Sequence, residues 1–277
     1  MSKRDVTLVV GGTGKTGRRV VERLQRRGLP FRAASRSAKP AFDWEDRETW
    51  SPCLDGMTQA YVTYYPDVCV PGALDTLQSF FARAVDAGVR KIVFLSGRGE
   101  VEALHAEDAL KACGAEWTIL RCSFFCQNFS ESFFLDPILA GELALPVGPV
   151  AEPFVDADDI ADVAVAALTD DRHSGQLYEL TGPRALTFAA AIEEIGRATG
   201  REIRYRTITP EAYRAALVEA HVPADVIDLI LYLFGTVLDG RNEPVADGVQ
   251  RALDRQPRDF KEYVRCAAVT GVWGRRT

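Results

Sequence analysis

Residues 6–17 read Val6-Thr7-Leu8-Val9-Val10-Gly11-Gly12-Thr13-Gly14-Lys15-Thr16-Gly17. Val6 to Val10 is a run of mostly β-branched apolar residues, the pattern of a buried strand. Four glycines and a threonine then predict a tight turn. Gly17, Val20, Val21 and Leu24 follow at i, i+3, i+4 and i+7, so a helix opens where the turn closes. Strand, glycine loop and helix N-terminus together make an anion cradle. Free N–H groups and the positive end of the helix dipole face the anion, and the missing side chains let it approach.

Two phosphate-binding motifs compete for this stretch. A nucleotide-triphosphate loop needs G-x-x-x-x-G-K-[ST], which puts its first glycine at position 9. Position 9 is Val9, inside the strand, so that reading fails. Gly12-Thr13-Gly14-Lys15-Thr16-Gly17 fits G-x-G-x-x-G, the dinucleotide fingerprint. The predicted cofactor-binding residues are Gly11, Gly12, Thr13, Gly14, Lys15, Thr16 and Gly17. The helix is expected to end near Arg27-Gly28, with Gly28 as its C-terminal cap and Pro30 behind it. Phe31 to Ala34 then reads as the second strand. A cofactor with a free ribose 2′-OH calls for Asp or Glu at the end of that strand. Ser35-Arg36-Ser37 stands there instead. Arg36, with Ser37 beside it, suits a 2′-phosphate through a bidentate charge-assisted pair, so NADP(H) is the expected cofactor. The competing reading is a solvated surface arginine.

Composition bounds the rest. The chain has 277 residues, 47% apolar and 26% charged, with a net charge of −6. That acidity argues against a nucleic-acid or anionic-membrane surface. No apolar run approaches membrane-spanning length. Lys3-Arg4 lead straight into a strand too short for a signal h-region, so a cytoplasmic protein is expected. Asn128-Phe129-Ser130 matches a glycosylation sequon, relevant only to a secreted chain. The six cysteines are scattered without C-x-x-C and read as reduced thiols. Cys122 and Cys126 read as small buried hydrophobes.

The first half alternates apolar runs with amphipathic helices, which predicts an α/β fold with a doubly wound parallel sheet. Strands are expected at 60–63, 91–96, 117–120 and 177–180. Helices are expected at 71–87 (with Leu74, Leu77, Phe81 and Val85 on one face), at 100–113, and from Phe154-Val155-Asp156-Ala157-Asp158-Asp159 through 169. From about 187 the pattern is helical: 187–199, 210–220, 223–238 and 244–268 in pieces. The expected organisation is a Rossmann-type NADP-binding domain over 1–150, with 154–181 returning to it. A smaller, mostly helical substrate lobe takes 182–277 together with 136–153.

Ligands of such sheets lie beyond the C-terminal strand ends. That names the glycine loop, Arg36, Tyr64-Tyr65-Pro66, Ser96-Gly97-Arg98 and the segment after Arg121 as lining. Tyr61, Tyr64, Tyr65, Phe124, Phe125, Phe129, Phe133 and Phe134 crowd the same stretches. They read either as a ring-accepting pocket or as core. Tyr65, Phe124, Phe125 and Asn128 are the substrate-contact candidates.

The glycine loop also carries G-x-x-G-x-x-G through Gly11, Gly14 and Gly17. With Thr118-Ile119-Leu120-Arg121, Phe124-Phe125, Gln127-Asn128-Phe129, the stretch from Phe154 to Ala161 and Tyr178-Glu179-Leu180-Thr181-Gly182-Pro183, the chain resembles the NmrA-like, atypical short-chain dehydrogenase/reductase family over essentially its full length. Gly14-Lys15-Thr16, Ala34-Ser35-Arg36-Ser37 and Phe42-Asp43-Trp44-Glu45 are similar to its festuclavine/agroclavine dehydrogenase group. The resemblance implies a Rossmann domain with a smaller substrate lobe. It also implies NADPH-dependent reduction of an iminium carbon in a polycyclic substrate.

Short-chain reductases of ketones use Tyr-x-x-x-Lys as general acid. None of the eight tyrosines here has Lys at +4. An iminium, enone or quinone needs less help from a proton donor than a ketone does. The expectation is therefore an NADPH-dependent reductase of an activated C=N or C=C acceptor in a small apolar or polycyclic substrate. The alternative is an NADP-sensing NmrA-like regulator without turnover. Ser96 (also a cofactor contact) and His105 are the candidate catalytic residues. No H-E-x-x-H or Cys/His cluster supports a metal, and none is expected.

Overall fold

A computed structural model describes residues 5–274. Lys3 and Arg4, on which the leader reading rests, lie outside the described residues, as do 275–277. In chain order the elements are β1 (Thr7–Val10), α1 (Gly17–Arg26), β2 (Phe31–Ala34), α2 (Trp50–Leu54), β3 (Gln59–Val62), α3 (Ala73–Asp86), β4 (Lys91–Gly97), α4 (Val101–Ala112) and β5 (Glu116–Cys122). Next come α5 (Leu135–Ala140), β6 (Glu142–Leu145), β7 (Ala151–Glu152), α6 (Ala157–Thr169), β8 (Gln176–Leu180), β9 (Leu186–Thr187), α7 (Phe188–Thr199) and β10 (Arg204–Thr207). The last are α8 (Pro210–Glu219), α9 (Ala224–Tyr232), α10 (Gly248–Leu253) and α11 (Phe260–Val269).

Six strands form one parallel sheet in the order β2-β1-β3-β4-β5-β8. The Rossmann-type doubly wound sheet expected from the sequence is therefore the fold. Sequence order reverses between β1 and β3, so the topological switch point lies at the strand that feeds the glycine loop. Leu8, Val10, Ala60, Val62, Ile92, Phe94 and Ile119 pack on one face against α2, α3 and α4. Helices α1 and α6 pack together, and α6 lies along β3, β4 and β5. The Gly28 cap is as expected. Gly28 takes φ +62°, and Leu29 N–H reaches back to the Leu24 carbonyl.

The buried face of α3 is rotated from the expected one. Ala73, Leu77, Phe80, Phe81 and Ala84 are buried, whereas Leu74 and Val85 are half-buried. The Phe80 ring causes this: it packs edge-on against Phe42, Trp44 and Trp50, a cluster built partly by α2, which periodicity did not reveal.

The chain divides into two compact units. One comprises 1–122, 157–180 and 247–255; the other comprises 123–156, 181–246 and 256–277. Four stretches fall on the other side from the expected boundaries: 123–135, 154–156, Thr181 and 247–255. Residues 123–135 join the second unit, because Val155 pairs with Phe124 and Cys126 while Phe129 enters that unit's core. Residues 247–255 join the sheet unit, because α10 lies on β8 and the Gly248 backbone touches that of Glu179; a Cβ there would lie 2.1 Å from the Glu179 carbonyl.

The second unit holds α5, α7, α8, α9 and α11. It also holds two short strand pairs, parallel β6–β10 and antiparallel β7–β9, that the sequence reading missed. Its core is aromatic. Phe129, Phe134, Phe154, Phe188, Phe260 and Trp273 are fully or almost fully buried.

Candidate functional site

The glycine loop leaves β1 at the switch point. Gly12 N–H bonds the Ala34 carbonyl at 3.0 Å, and Gly14 N–H bonds the Gly11 carbonyl at 2.8 Å. These bonds fold the loop onto the ends of β1 and β2. Close packing explains the glycines. A Cβ at Gly17 would lie 2.1 Å from the Gly11 carbonyl oxygen, one at Gly12 2.9 Å from Ala33 Cβ, and one at Gly11 2.6 Å from the Thr63 methyl. Gly11 also takes φ +70°, open to glycine at little cost. Gly14 is different: its nearest neighbour would be 3.2 Å away, and it is exposed with Thr13 at the loop tip. Thr16, the N-cap residue of α1, makes no side-chain capping hydrogen bond. The cradle therefore fits a dinucleotide pyrophosphate: packed glycines at its base, exposed small residues at its tip, and an uncapped helix end.

Helix α1 is anchored from behind. Arg23 bonds Asp158 (2.8 Å) and Asp162 (2.5 Å), and Arg255 bonds the fully buried Asp159 and the half-buried Asp162 at 2.7 Å each. The acidic start of α6 thus does more than complement its helix dipole. It orients the helix that closes the loop.

Arg36 is exposed just past β2, with its guanidinium 5.7 Å from the centre of the Tyr65 ring. Among the described residues it has no ion-pair partner. Tyr65 is 68% exposed. Ser37 is exposed and contacts Ser35 through its hydroxyl at 3.3 Å. The structure brings Arg36 and Tyr65 together although 29 positions separate them (65 − 36).

Ser96 has a different setting from the one expected. It is buried at the end of β4, and its hydroxyl donates to Glu107 at 2.6 Å. The fully buried Glu107 carboxylate also receives Arg121 Nη2 at 2.5 Å and Nε at 2.9 Å. Arg121 and Arg98 both bond Glu179 on β8. Ser96 is thus one member of an ion-pair network across β4, β5, β8 and α4. Sequence reading missed this network because Glu107 lies far in sequence from its partners on the strands. His105 is exposed on α4, off the face that carries Glu107. The Tyr61 phenol is fully buried, and burial raises its pKa far above the ordinary value.

The crowded aromatic residues divide between two roles. Tyr61, Phe129 and Phe134 are core. Phe124 is half-buried, stacked on Phe134 and Phe234 and edge-on to Phe154 and Phe188, so most of its ring is spent on the second unit's core. Phe125 and Asn128 are half-buried around the short 3₁₀ turn Cys126–Phe129. Cys122 and Cys126 are buried, as expected of small hydrophobes. Among the described residues no helix is long and apolar enough to cross a membrane.

The chain is 31% identical to the uncharacterized oxidoreductase YesF of Bacillus subtilis (strain 168), covering 99% of both chains. It is 30% identical to agroclavine dehydrogenase of Claviceps fusiformis, covering 93% of this chain and 95% of that one. Among solved structures it superposes on the triphenylmethane reductase of Citrobacter sp., complexed with NADP(H), with a TM-score of 0.74. That match has 17% identity and covers 95% of this chain and 99% of the other. The sequence profile described as the NmrA-like family matches residues 102–264. With the glycine cradle on β1 and full-length relatives at this identity, the chain belongs to the NmrA-like family.

Proposed function

We propose that this protein is an NADPH-dependent reductase of an activated C=N or C=C acceptor: an iminium, an enone or a quinone. The observation that carries this reading is the packed glycine cradle at the switch point, with Arg36 exposed at the end of the neighbouring strand. The oxidoreductase and dehydrogenase relatives support it.

NADPH, when bound, supplies the hydride. The chain's own part is binding and orientation. The loop amides and the α1 dipole hold the pyrophosphate, and the α6 carboxylates fix that helix through Arg23. Arg36 neutralises the 2′-phosphate and covers one face of Tyr65. Tyr65 offers an exposed ring to a flat substrate. Phe125 and Asn128 stay in the reading as substrate-contact candidates; Phe124 serves chiefly as core. Neither Ser96 nor His105 is assigned as proton donor, because the first gives its proton to Glu107 and the second is exposed on α4. A preactivated acceptor suits a site without Tyr-x-x-x-Lys, since hydride delivery then depends mainly on positioning.

The test is NADPH consumption by the purified chain against cyclic iminium ions, enones and quinones. Turnover on at least one class supports the reading. Tight NADPH binding with no turnover on any of them replaces it with the NADP-sensing regulator.

A further inference from the structure

The loop after β3 and the start of α4 bring together three side chains that the reductase reading does not use. Asp67 and Cys69 come from the loop, and Glu100 is the N-cap residue of α4. One ligand atom of each lies within 4.8 Å of the other two. Asp67 and Cys69 are half-buried, whereas Glu100 is only 8% exposed. Glu100 reaches inward by lying over Gly97, where a Cβ would come within 2.3–2.4 Å of its carboxyl atoms. Its Oε2 is buried and makes no hydrogen bond.

A buried carboxyl oxygen without a hydrogen-bond partner is costly, and the acidic neighbours here make the charged form costlier. The Glu100 carboxyl shares a hydrogen bond with Asp67, and the charged groups acting on it are Asp67 and Glu102. Those acting on Cys69 are Asp67, Glu100 and Glu102. All are acidic. Three anion-forming ligands converging around a buried, unpaired oxygen lack one thing, a cation.

We propose that Asp67, Cys69 and Glu100 form a binding site for a zinc-type divalent cation, with Glu100 as its buried anchor and one coordination position left open. The thiolate selects against magnesium and calcium, which take oxygen ligands, and toward zinc or cobalt. Zinc bonds of about 2.3 Å to sulfur and about 2.1 Å to oxygen put tetrahedral ligand atoms about 3.4–3.7 Å apart. From within 4.8 Å, the ligand atoms draw in by up to about 1.4 Å to reach that spacing. Sequence reading expected no metal because it sought His and Cys spacings. This set is Asp-x-Cys with a glutamate 31 positions beyond the cysteine (100 − 69).

The untagged full chain, freed of metal and kept reduced with a non-thiol reductant, is titrated with Zn²⁺ and with Co²⁺ in the absence of NADPH. The expected result is one equivalent bound, with a near-ultraviolet sulfur-to-cobalt charge-transfer band. Cys69→Ser abolishes that band, and Cys266→Ser, at an exposed cysteine, keeps it. Glu100→Gln weakens Zn²⁺ by at least about tenfold, since loss even of an outer-shell partner costs that much. No stoichiometric binding by the wild type, a band that survives Cys69→Ser, or unchanged affinity in Glu100→Gln overturns the site. Binding is read without cofactor, so this outcome is independent of the hydride-transfer reading.

Discussion

Arg121 grips the fully buried Glu107 carboxylate through two nitrogens, Nη2 at 2.5 Å and Nε at 2.9 Å. The pair ties β5 to α4 and takes Ser96 of β4 as a third member. Removing Glu107 leaves the half-buried Arg121 guanidinium with Glu179 as its remaining carboxylate partner among the described residues. Glu107→Ala is expected to cost about 3–5 kcal/mol. Ser96→Ala removes one donor to the same carboxylate and should cost about 1–3 kcal/mol. Urea denaturation of the two variants checks both the values and their order.

The glycines of the loop separate into two kinds. Gly17→Ala drives a methyl into the Gly11 carbonyl, an approach of 2.1 Å against backbone that cannot yield cheaply. It should lower Tm by about 5 °C or more, whether or not cofactor is present. Gly14→Ala meets the Gly11 carbonyl oxygen at 3.2 Å, a tight contact that a shift of a few tenths of an ångström relieves, and should lower Tm by less than Gly17→Ala does while weakening NADPH, because its methyl occupies the exposed tip of the cradle. Thermal melts and NADPH titrations of both variants separate packing from ligand approach.

Arg36 is exposed and faces Tyr65, so its loss should not disturb the fold. Arg36→Ala is expected to weaken NADPH by about 10-fold or more, at about 1.5–3 kcal/mol for a charge-assisted pair, and to leave NADH nearly unchanged. Equal losses for the two cofactors would place the 2′-phosphate elsewhere.

His173 is buried and its tautomer follows from its partners. Arg172 Nε donates to its Nε2 at 3.3 Å, so Nδ1 carries the proton and donates to the Tyr178 hydroxyl at 2.8 Å. Burial, aided by the Arg172 charge, lowers the His173 pKa below the ordinary 6.5. The folded state then binds fewer protons than the unfolded state. The stability it contributes is complete above about pH 6.5 and is lost as pH falls from there through the folded value. Tm of the wild type should therefore drop more steeply from pH 7 to 5 than that of His173→Gln. Parallel slopes would contradict this.

Much of this was legible in the sequence, for physical reasons. β1 announced itself because a parallel strand buried on both faces needs a continuous apolar run, and the loop because packed backbone tolerates no Cβ. Gly28 marked the end of α1 for a different reason: its φ of +62° is a left-handed conformation that favours glycine. Strand β10 stayed hidden: Arg204-Tyr205-Arg206-Thr207 carries two charges and owes its state to pairing with β6. The ion-pair network stayed hidden too, since Glu107 and Arg121 show their relation only once α4 lies on the sheet. The aromatic stretch after β5 is a middle case. Composition revealed the rings, but only packing separated Phe129 and Phe134, which are core, from the half-buried Phe125.

The most direct test of the central claim is transfer of label. NADPH carrying deuterium at the reactive C4 position is incubated with the protein and a cyclic iminium or enone acceptor, and the product is analysed by mass spectrometry and NMR. One deuterium on the former C=N or C=C carbon, with one NADP⁺ formed per product, is the predicted result. Stoichiometric NADPH binding with no labelled product from any activated acceptor would contradict it.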